Sequence, residues 1–237
     1  MTNRYTGLSP QIYARTVGIL YLIVIAAGII AQLFISGRIV VIDDAAMTAA
    51  NILAHENLFR LGFTLYLIEM TSQIAMTAFM YVLLKPVSGS FSLLALVFGL
   101  GGCVIKTFSR LFYIAPLLVL GNAHYLSAFN VDQLQALTLL LLEVNDQAAG
   151  MALPFFGFST LVNGVLIFRS TFLPRALGVL SILGGLGWLT YLYPPLGNQL
   201  LIYVLFAALI GSVSQILWLL FKGVNVDQWN KLACEAS

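Results

Sequence analysis

NLFRLGFTLYLIEMTSQIAMTAFMYVLLKPVSGSFSLLALVFGLGGCVIKTFSRLFYIAPLLVL, residues 57–120, reads as two apolar runs joined by Lys85-Pro86-Val87-Ser88-Gly89-Ser90. Each run is long enough to cross about 30 Å of hydrocarbon at about 1.5 Å per helical residue. Proline and glycine in the link stop one helix and let the chain reverse. The stretch therefore predicts a transmembrane helical hairpin. Besides Arg60 and Lys85 at the ends of the first run, three charges lie within the apolar runs themselves, Glu69, Lys106 and Arg110. Counted from a turn centre between Val87 and Ser88, Glu69 lies as far before the turn as Lys106 lies after it, so in an antiparallel hairpin the two fall at one depth. That depth is near the bilayer middle, where a lone charge costs about 2.5 to 3.5 kcal/mol on insertion scales. Such residues face a partner or a wet cavity. Helical spacing puts Tyr66, Glu69 and Gln73 on one face, and Lys106, Ser109, Arg110 and Tyr113 on another, so two polar stripes are set to meet.

The rest of the chain has the same character. Of its 237 residues, 60% are hydrophobic and only 8% charged, with a mean hydropathy of +0.97, where soluble domains carry about 25% charged residues. The reading is an all-α, polytopic transmembrane helical bundle forming one membrane domain. Its spans fall at about 13–36, 58–84, 91–120, 148–168, 176–193 and 199–221, with two interfacial or re-entrant helices besides. The apolar run from Val17 to Ile35 exceeds the 7 to 15 residues of a signal-peptide core, so it reads as an uncleaved first span despite the small Ala26-Ala27-Gly28. Asp43 to Asn57 reads as a surface helix with its acids at the positive end of the helix dipole. Asp132 to Leu142 has a leucine-rich face but turns polar at Glu143-Val144-Asn145-Asp146, which predicts an interfacial or re-entrant helix that ends there. Gly150 and Pro154 predict a break before span four. Pro194-Pro195 reads as the stop of span five.

Charge gives the orientation. With six spans, Arg4, Arg15, Lys85, Arg169, Arg175, Lys222 and Lys231 fall on one side, while Arg38 and Arg60 fall on the other. The positive-inside rule then predicts cytoplasmic N- and C-termini. A seventh span at Asp132 to Leu142 would move Arg169, Arg175, Lys222 and Lys231 outside. A net charge of +2, with no basic run interleaved with aromatics, implies neither nucleic acid nor an anionic lipid surface as partner. The partner implied is the lipid bilayer itself. Cys103 lies within a span and Cys234 in the tail, and no disulfide between them is expected.

Four segments, AANILAHENLFRLGF (Ala49 to Phe63), DQLQAL (Asp132 to Leu137), LIFRSTFLPRALGVL (Leu166 to Leu180) and LWLLFKGVNVDQW (Leu217 to Trp229), together resemble a bacterial membrane-protein family known as domain of unknown function 4386. The resemblance spreads over nearly the whole chain. It implies a bacterial multi-span protein of one domain, hence a cell inner membrane location, and it carries over no catalytic residue.

The residues themselves supply the ligand-binding candidates: Glu69, Gln73, Lys106, Arg110, Tyr66 and Tyr113. One carboxylate beside two cations leaves an uncompensated positive charge, which invites an anion, a proton or a zwitterion. The plainer reading is an internal salt bridge that fixes helix register, with Glu143 or Asp146 supplying the missing negative charge. A Schiff base on Lys106 would rest on one lysine and one glutamate, which is weak support. His55, Glu56, His124, Glu143 and Asp146 all map to the outer side. With only two histidines and no H-E-x-x-H array, they read as solvated loop residues and not as metal ligands. Neither G-x-S-x-G nor G-x-x-x-x-G-K-[ST] occurs, so no catalytic residue, cofactor or enzyme activity is indicated. Gly99, Gly101, Gly102 and the glycines of span five read as packing contacts. The expectation is a membrane protein that binds or transports a small solute or ion between spans two and three. The alternative is a non-transporting sensor or assembly partner whose buried charges are structural.

Overall fold

The computed structural model describes residues 9–121 and 123–235, which form helices and turns with no strand among them; Arg4 and Asn122 lie outside the described residues. The order is α1 (Pro10–Ile29), a π-helical segment (Ile30–Ser36), α2 (Gly37–Ile39), α3 (Ala45–Ala54), α4 (Glu56–Leu84), α5 (Gly89–Ile114), α6 (Pro116–Val119) and a 3-10 turn (His124–Ala128). It continues with α7 (Val131–Met151), α8 (Leu153–Arg169), α9 (Arg175–Leu189), a 3-10 turn (Thr190–Leu192), α10 (Pro194–Phe221) and α11 (Val226–Glu235). Among the described residues, stretches long and apolar enough to cross a membrane number 6: Pro10–Ile39, Glu56–Leu84, Gly89–Val119, Val131–Arg169, Arg175–Leu192 and Pro194–Phe221. The chain is a multi-pass membrane protein. Along α10, Leu201, Ile202, Phe206, Leu209 and Ile210 are exposed, a surface that suits lipid and would be a liability in water.

The contacts divide the chain into two compact units, and α1, α4 and α5 supply residues to both. The first comprises residues 1–22, 72–102 and 153–237. Its core gathers Val17, Met80, Leu83, Leu166, Ile167, Leu177, Leu219 and Trp229. Four separate stretches of chain are tied together here by hydrogen bonds. Gln11 Nε2 donates to the Lys222 carbonyl at 3.1 Å, and Gln11 Oε1 accepts from Val224 N at 3.0 Å. Asn225 N donates to the Phe172 carbonyl at 3.1 Å, and Trp229 Nε1 to the Leu83 carbonyl at 2.9 Å. The start of α1, the α4–α5 turn, the α8–α9 link and the tail therefore meet, which brings together the parts of the chain that carry Arg15, Lys85, Arg169, Arg175, Lys222 and Lys231. In the same unit α8 and α9 pack backbone against backbone. A Cβ on Gly178 would lie 2.8 Å from the Gly164 carbonyl oxygen, and one on Gly185 2.9 Å from that of Gly157. The two pairs sit symmetrically about Thr171, as an antiparallel hairpin requires. The glycines of span five are thus packing contacts.

The second unit comprises residues 23–71 and 103–152. Its core is Ala31, Ile35, Ile39, Ile52, Phe59, Tyr66, Tyr113 and Leu142. Asp44 caps α3 by accepting from Met47 N at 2.8 Å, the use that its place before an alanine-rich helix predicts. Asn130 and Gln133 cap α7 reciprocally, with Gln133 N donating to Asn130 Oδ1 at 2.9 Å and Asn130 N to Gln133 Oε1 at 3.0 Å.

Two boundaries add to the sequence reading, and the first corrects it. The helix that begins at Val131 does not end where the chain turns polar at Glu143, but runs on to Met151. Glu143 and Asp146 are exposed and Asn145 is bonded inside the unit, so neither polarity nor charge interrupts it. The break comes at Ala152, as Pro154 dictates by clashing with the carbonyl four residues back. From Val131 to Arg169 the apolar run covers 39 residues; at about 1.5 Å each this far exceeds about 30 Å of hydrocarbon, so part of it lies outside. The other is at Pro194-Pro195, where span five stops at Leu192 with Tyr193 extended before the prolines, as expected, and where the same prolines also open α10, since a missing N–H there removes no helical hydrogen bond.

Candidate functional site

All the predicted site residues but Gln73 come together in the second unit. Lys106 Nζ on α5 donates to Glu69 Oε1 on α4 at 2.6 Å, the pairing that their equal distances from the turn predict. The Lys106 side chain is 19% exposed and that of Glu69 only 7%. One turn further along α5, Arg110 is 3% exposed, and its guanidinium sits 3.8 Å from the centre of the Tyr66 ring. Desolvated contacts of this kind contribute about 2 kcal/mol. The Tyr66 hydroxyl donates to Gln32 Oε1 at 2.6 Å. Tyr113 meets Tyr66 edge-on at 5.1 Å and stacks on Phe59 at 4.5 Å. Gln73 falls in the first unit, where its backbone carbonyl accepts from Thr77 Oγ1 at 2.8 Å.

Three further residues belong to the site. Asn145 on α7 accepts from Arg110 Nη1 at 3.0 Å and donates from Nδ2 to Asp146 Oδ1 at 2.8 Å. The carboxylate expected to balance Arg110 thus acts at one remove, through an amide. Gln32 comes from the π-helical segment of the first span, a wider turn often found at functional sites. Gly28 on α1 lies against the Glu69 carboxylate, since a Cβ there would stand 3.2 Å from Oε1 and 3.3 Å from Cδ. An amide alone in an apolar span is a visible signal in the sequence, and Gln32 carried it; nothing in the sequence tied Asn145 or Gly28 to the pair.

The cluster is incompletely paired. Among the described residues, buried side-chain atoms with no hydrogen-bond partner are Glu69 Oε2, Arg110 Nε, Tyr113 Oη, Thr107 Oγ1 and Thr138 Oγ1. All belong to this unit. A buried polar atom without a partner costs about 1 to 3 kcal/mol, more when charged, and its usual remedy is a water, an ion or a ligand. The arrangement can therefore hold a small polar species between fixed charges within apolar helices.

Fold and cluster together define a multi-pass, all-α membrane protein that keeps a lysine–glutamate pair and an arginine within apolar helices. The chain belongs to the family described as domain of unknown function (DUF4386), whose model matches residues 16–223 and so includes every residue of the cluster. No curated protein matches the chain, and no solved structure does.

Proposed function

We propose that this is a bacterial inner-membrane protein, with both termini cytoplasmic, that binds or moves a small solute or ion at the Glu69–Lys106–Arg110 cluster. The observation that carries the reading is that one polar atom of each of two charged side chains, Glu69 Oε2 and Arg110 Nε, has no partner although both side chains are more than nine-tenths buried. Intramembrane ionisable residues mark solute or proton pathways, or a bundle locked by its own charges. The gathering of Arg15, Lys85, Arg169, Arg175, Lys222 and Lys231 toward one end of the first unit supports the orientation by the positive-inside rule.

The test is access to the cluster. Lys106→Cys combined with Glu69→Gln, which avoids an unpaired carboxylate, is reconstituted into vesicles and treated with a charged, membrane-impermeant methanethiosulfonate. Reaction at position 106 from one side of the membrane is expected. A thiol that stays inert from both sides would sink the reading. The 2.6 Å contact of Lys106 with Glu69 favours a second reading, in which the pair only fixes the register of α4 against α5. An inert thiol together with a purely energetic effect of the pair would establish that one.

A further inference from the structure

We infer, resting on the reading of the cluster as a solute or ion site, that its ligand is a small planar oxyanion of single charge, such as a carboxylate, bicarbonate or nitrate, held by Arg110 and Lys106 in competition with Glu69. Charge gives the sign. Among the described residues, the buried or part-buried charges are two cations, Lys106 and Arg110, and one carboxylate, Glu69. Asp146 is exposed, makes no ion pair with Arg110 and is hydrogen-bonded to it only through Asn145; its charge acts on the guanidinium from the surface, across that amide. An entering cation or amine would add a third positive charge to this set, whereas one anion balances it.

The unused donors give the shape. A guanidinium has five N–H donors. Asn145 occupies Arg110 Nη1, Nε is buried without a partner, and no hydrogen bond to Nη2 occurs among the described residues. The free Nε–Nη2 edge is the one that meets two oxygens of a planar anion through parallel hydrogen bonds. Tyr66 under the guanidinium and Asn145 at its far end hold that edge in place, with Tyr66 itself held by Gln32. A spherical halide offers no second oxygen to the edge, and a tetrahedral dianion brings one negative charge too many.

Lys106 has the access. It uses one of its three N–H groups on Glu69 Oε1 and remains 19% exposed. Glu69 is attached through that oxygen alone, its Oε2 lacking a partner, so it is the resident anion against which a ligand competes.

Thermal unfolding of the purified protein in detergent, at constant ionic strength, tests this with sodium acetate and sodium nitrate against chloride, sulfate and methylammonium. Acetate and nitrate are expected to raise the midpoint saturably, in preference to chloride and sulfate. Glu69→Gln should tighten apparent binding about tenfold or more, because the internal competitor is gone. Arg110→Lys keeps the charge but loses the edge, and should abolish the preference of the planar anions over chloride. Equal responses to nitrate and chloride in the parent protein overturn the proposal, as does a planar preference that survives Arg110→Lys. Should Glu69→Gln not yield folded protein, the Arg110→Lys comparison decides alone. Protection by methylammonium and by no anion would refute the oxyanion while leaving a site at the cluster. Protection by no solute of either sign, with an inert thiol at position 106, removes both.

Discussion

Glu69→Gln, Lys106→Met and the double change form a thermodynamic cycle whose three arms are expected to differ for a calculable reason. Lys106 and Arg110 are i, i+4 neighbours, a spacing that puts Cβ atoms about 6 Å apart, and the same distance serves for the two charges. At an effective dielectric of about 20, two like charges at that distance repel by about 3 kcal/mol. In the intact cluster Glu69, 2.6 Å from Lys106, offsets that repulsion. Glu69→Gln leaves two cations with no buried anion between them, and is expected to cost about 3 to 5 kcal/mol, the usual range for breaking a buried pair. Lys106→Met strands a carboxylate but also relieves Arg110, so its cost should be smaller, about 1 to 3 kcal/mol. The double change leaves Arg110 with Tyr66 and Asn145. It should be more stable than Glu69→Gln alone, with a coupling of about 2 kcal/mol between the two sites. Equilibrium unfolding in mixed detergent micelles, followed by tryptophan fluorescence and circular dichroism, measures all three. Strictly additive losses would show that the contact is without energetic consequence, and a larger loss for Lys106→Met than for Glu69→Gln would show that Arg110 is too well screened to matter.

Gly28→Ala should lower stability by about 1 kcal/mol, since its Cβ would stand 3.2 Å from Glu69 Oε1; the loss should vanish when Glu69 is already alanine, and its persistence there would mean that the glycine serves something else. Gly178→Ala should cost about 3 kcal/mol or prevent folding, because its Cβ would meet Phe168 N at 2.5 Å, a backbone atom that cannot yield. Gly150→Ala, with nothing within 4 Å of its Cβ, should instead be neutral or gain up to about 1 kcal/mol in helix propensity, and the same unfolding assay compares the two. Single cysteines at Ser127 and Thr171, both exposed, are expected to react with an impermeant thiol reagent from opposite sides of the membrane; labelling from one side would refute the count of six spans.

The sequence is legible where one strong physical rule applies. Hydrocarbon thickness marks each span, a proline marks the break at Ala152, and equal distances from the turn pair Glu69 with Lys106. The rest depends on how each helix is rotated about its own axis. In an apolar span, lipid-facing and protein-facing positions carry the same residue types, so the pattern that reveals a buried face in a water-soluble helix is weak. That is why nothing in the sequence ties Gln32 and Gly28 on the first span to the pair. Gln73 follows Glu69 by one turn of the same helix, and the division between the two units falls between them. Asn145 is hard to read for a related reason. Its polar neighbourhood, Glu143 to Asp146, resembles a helix end, but there the helix turns its amide to Arg110 and its two acids outward.

The hydrogen bond from Trp229 to the Leu83 carbonyl, 146 residues earlier, sets a timetable for biosynthesis. At about 5 to 20 residues per second, the ribosome needs roughly 7 to 30 s to travel from one to the other. Throughout that interval the end of α4 has already been made, and the residue that closes over it does not yet exist. Nor do Val224 and Asn225, the partners of Gln11 and Phe172. Insertion of the last span therefore precedes completion of this end of the protein, and a nascent chain cut short before residue 222 leaves all three of those groups without their closing partners.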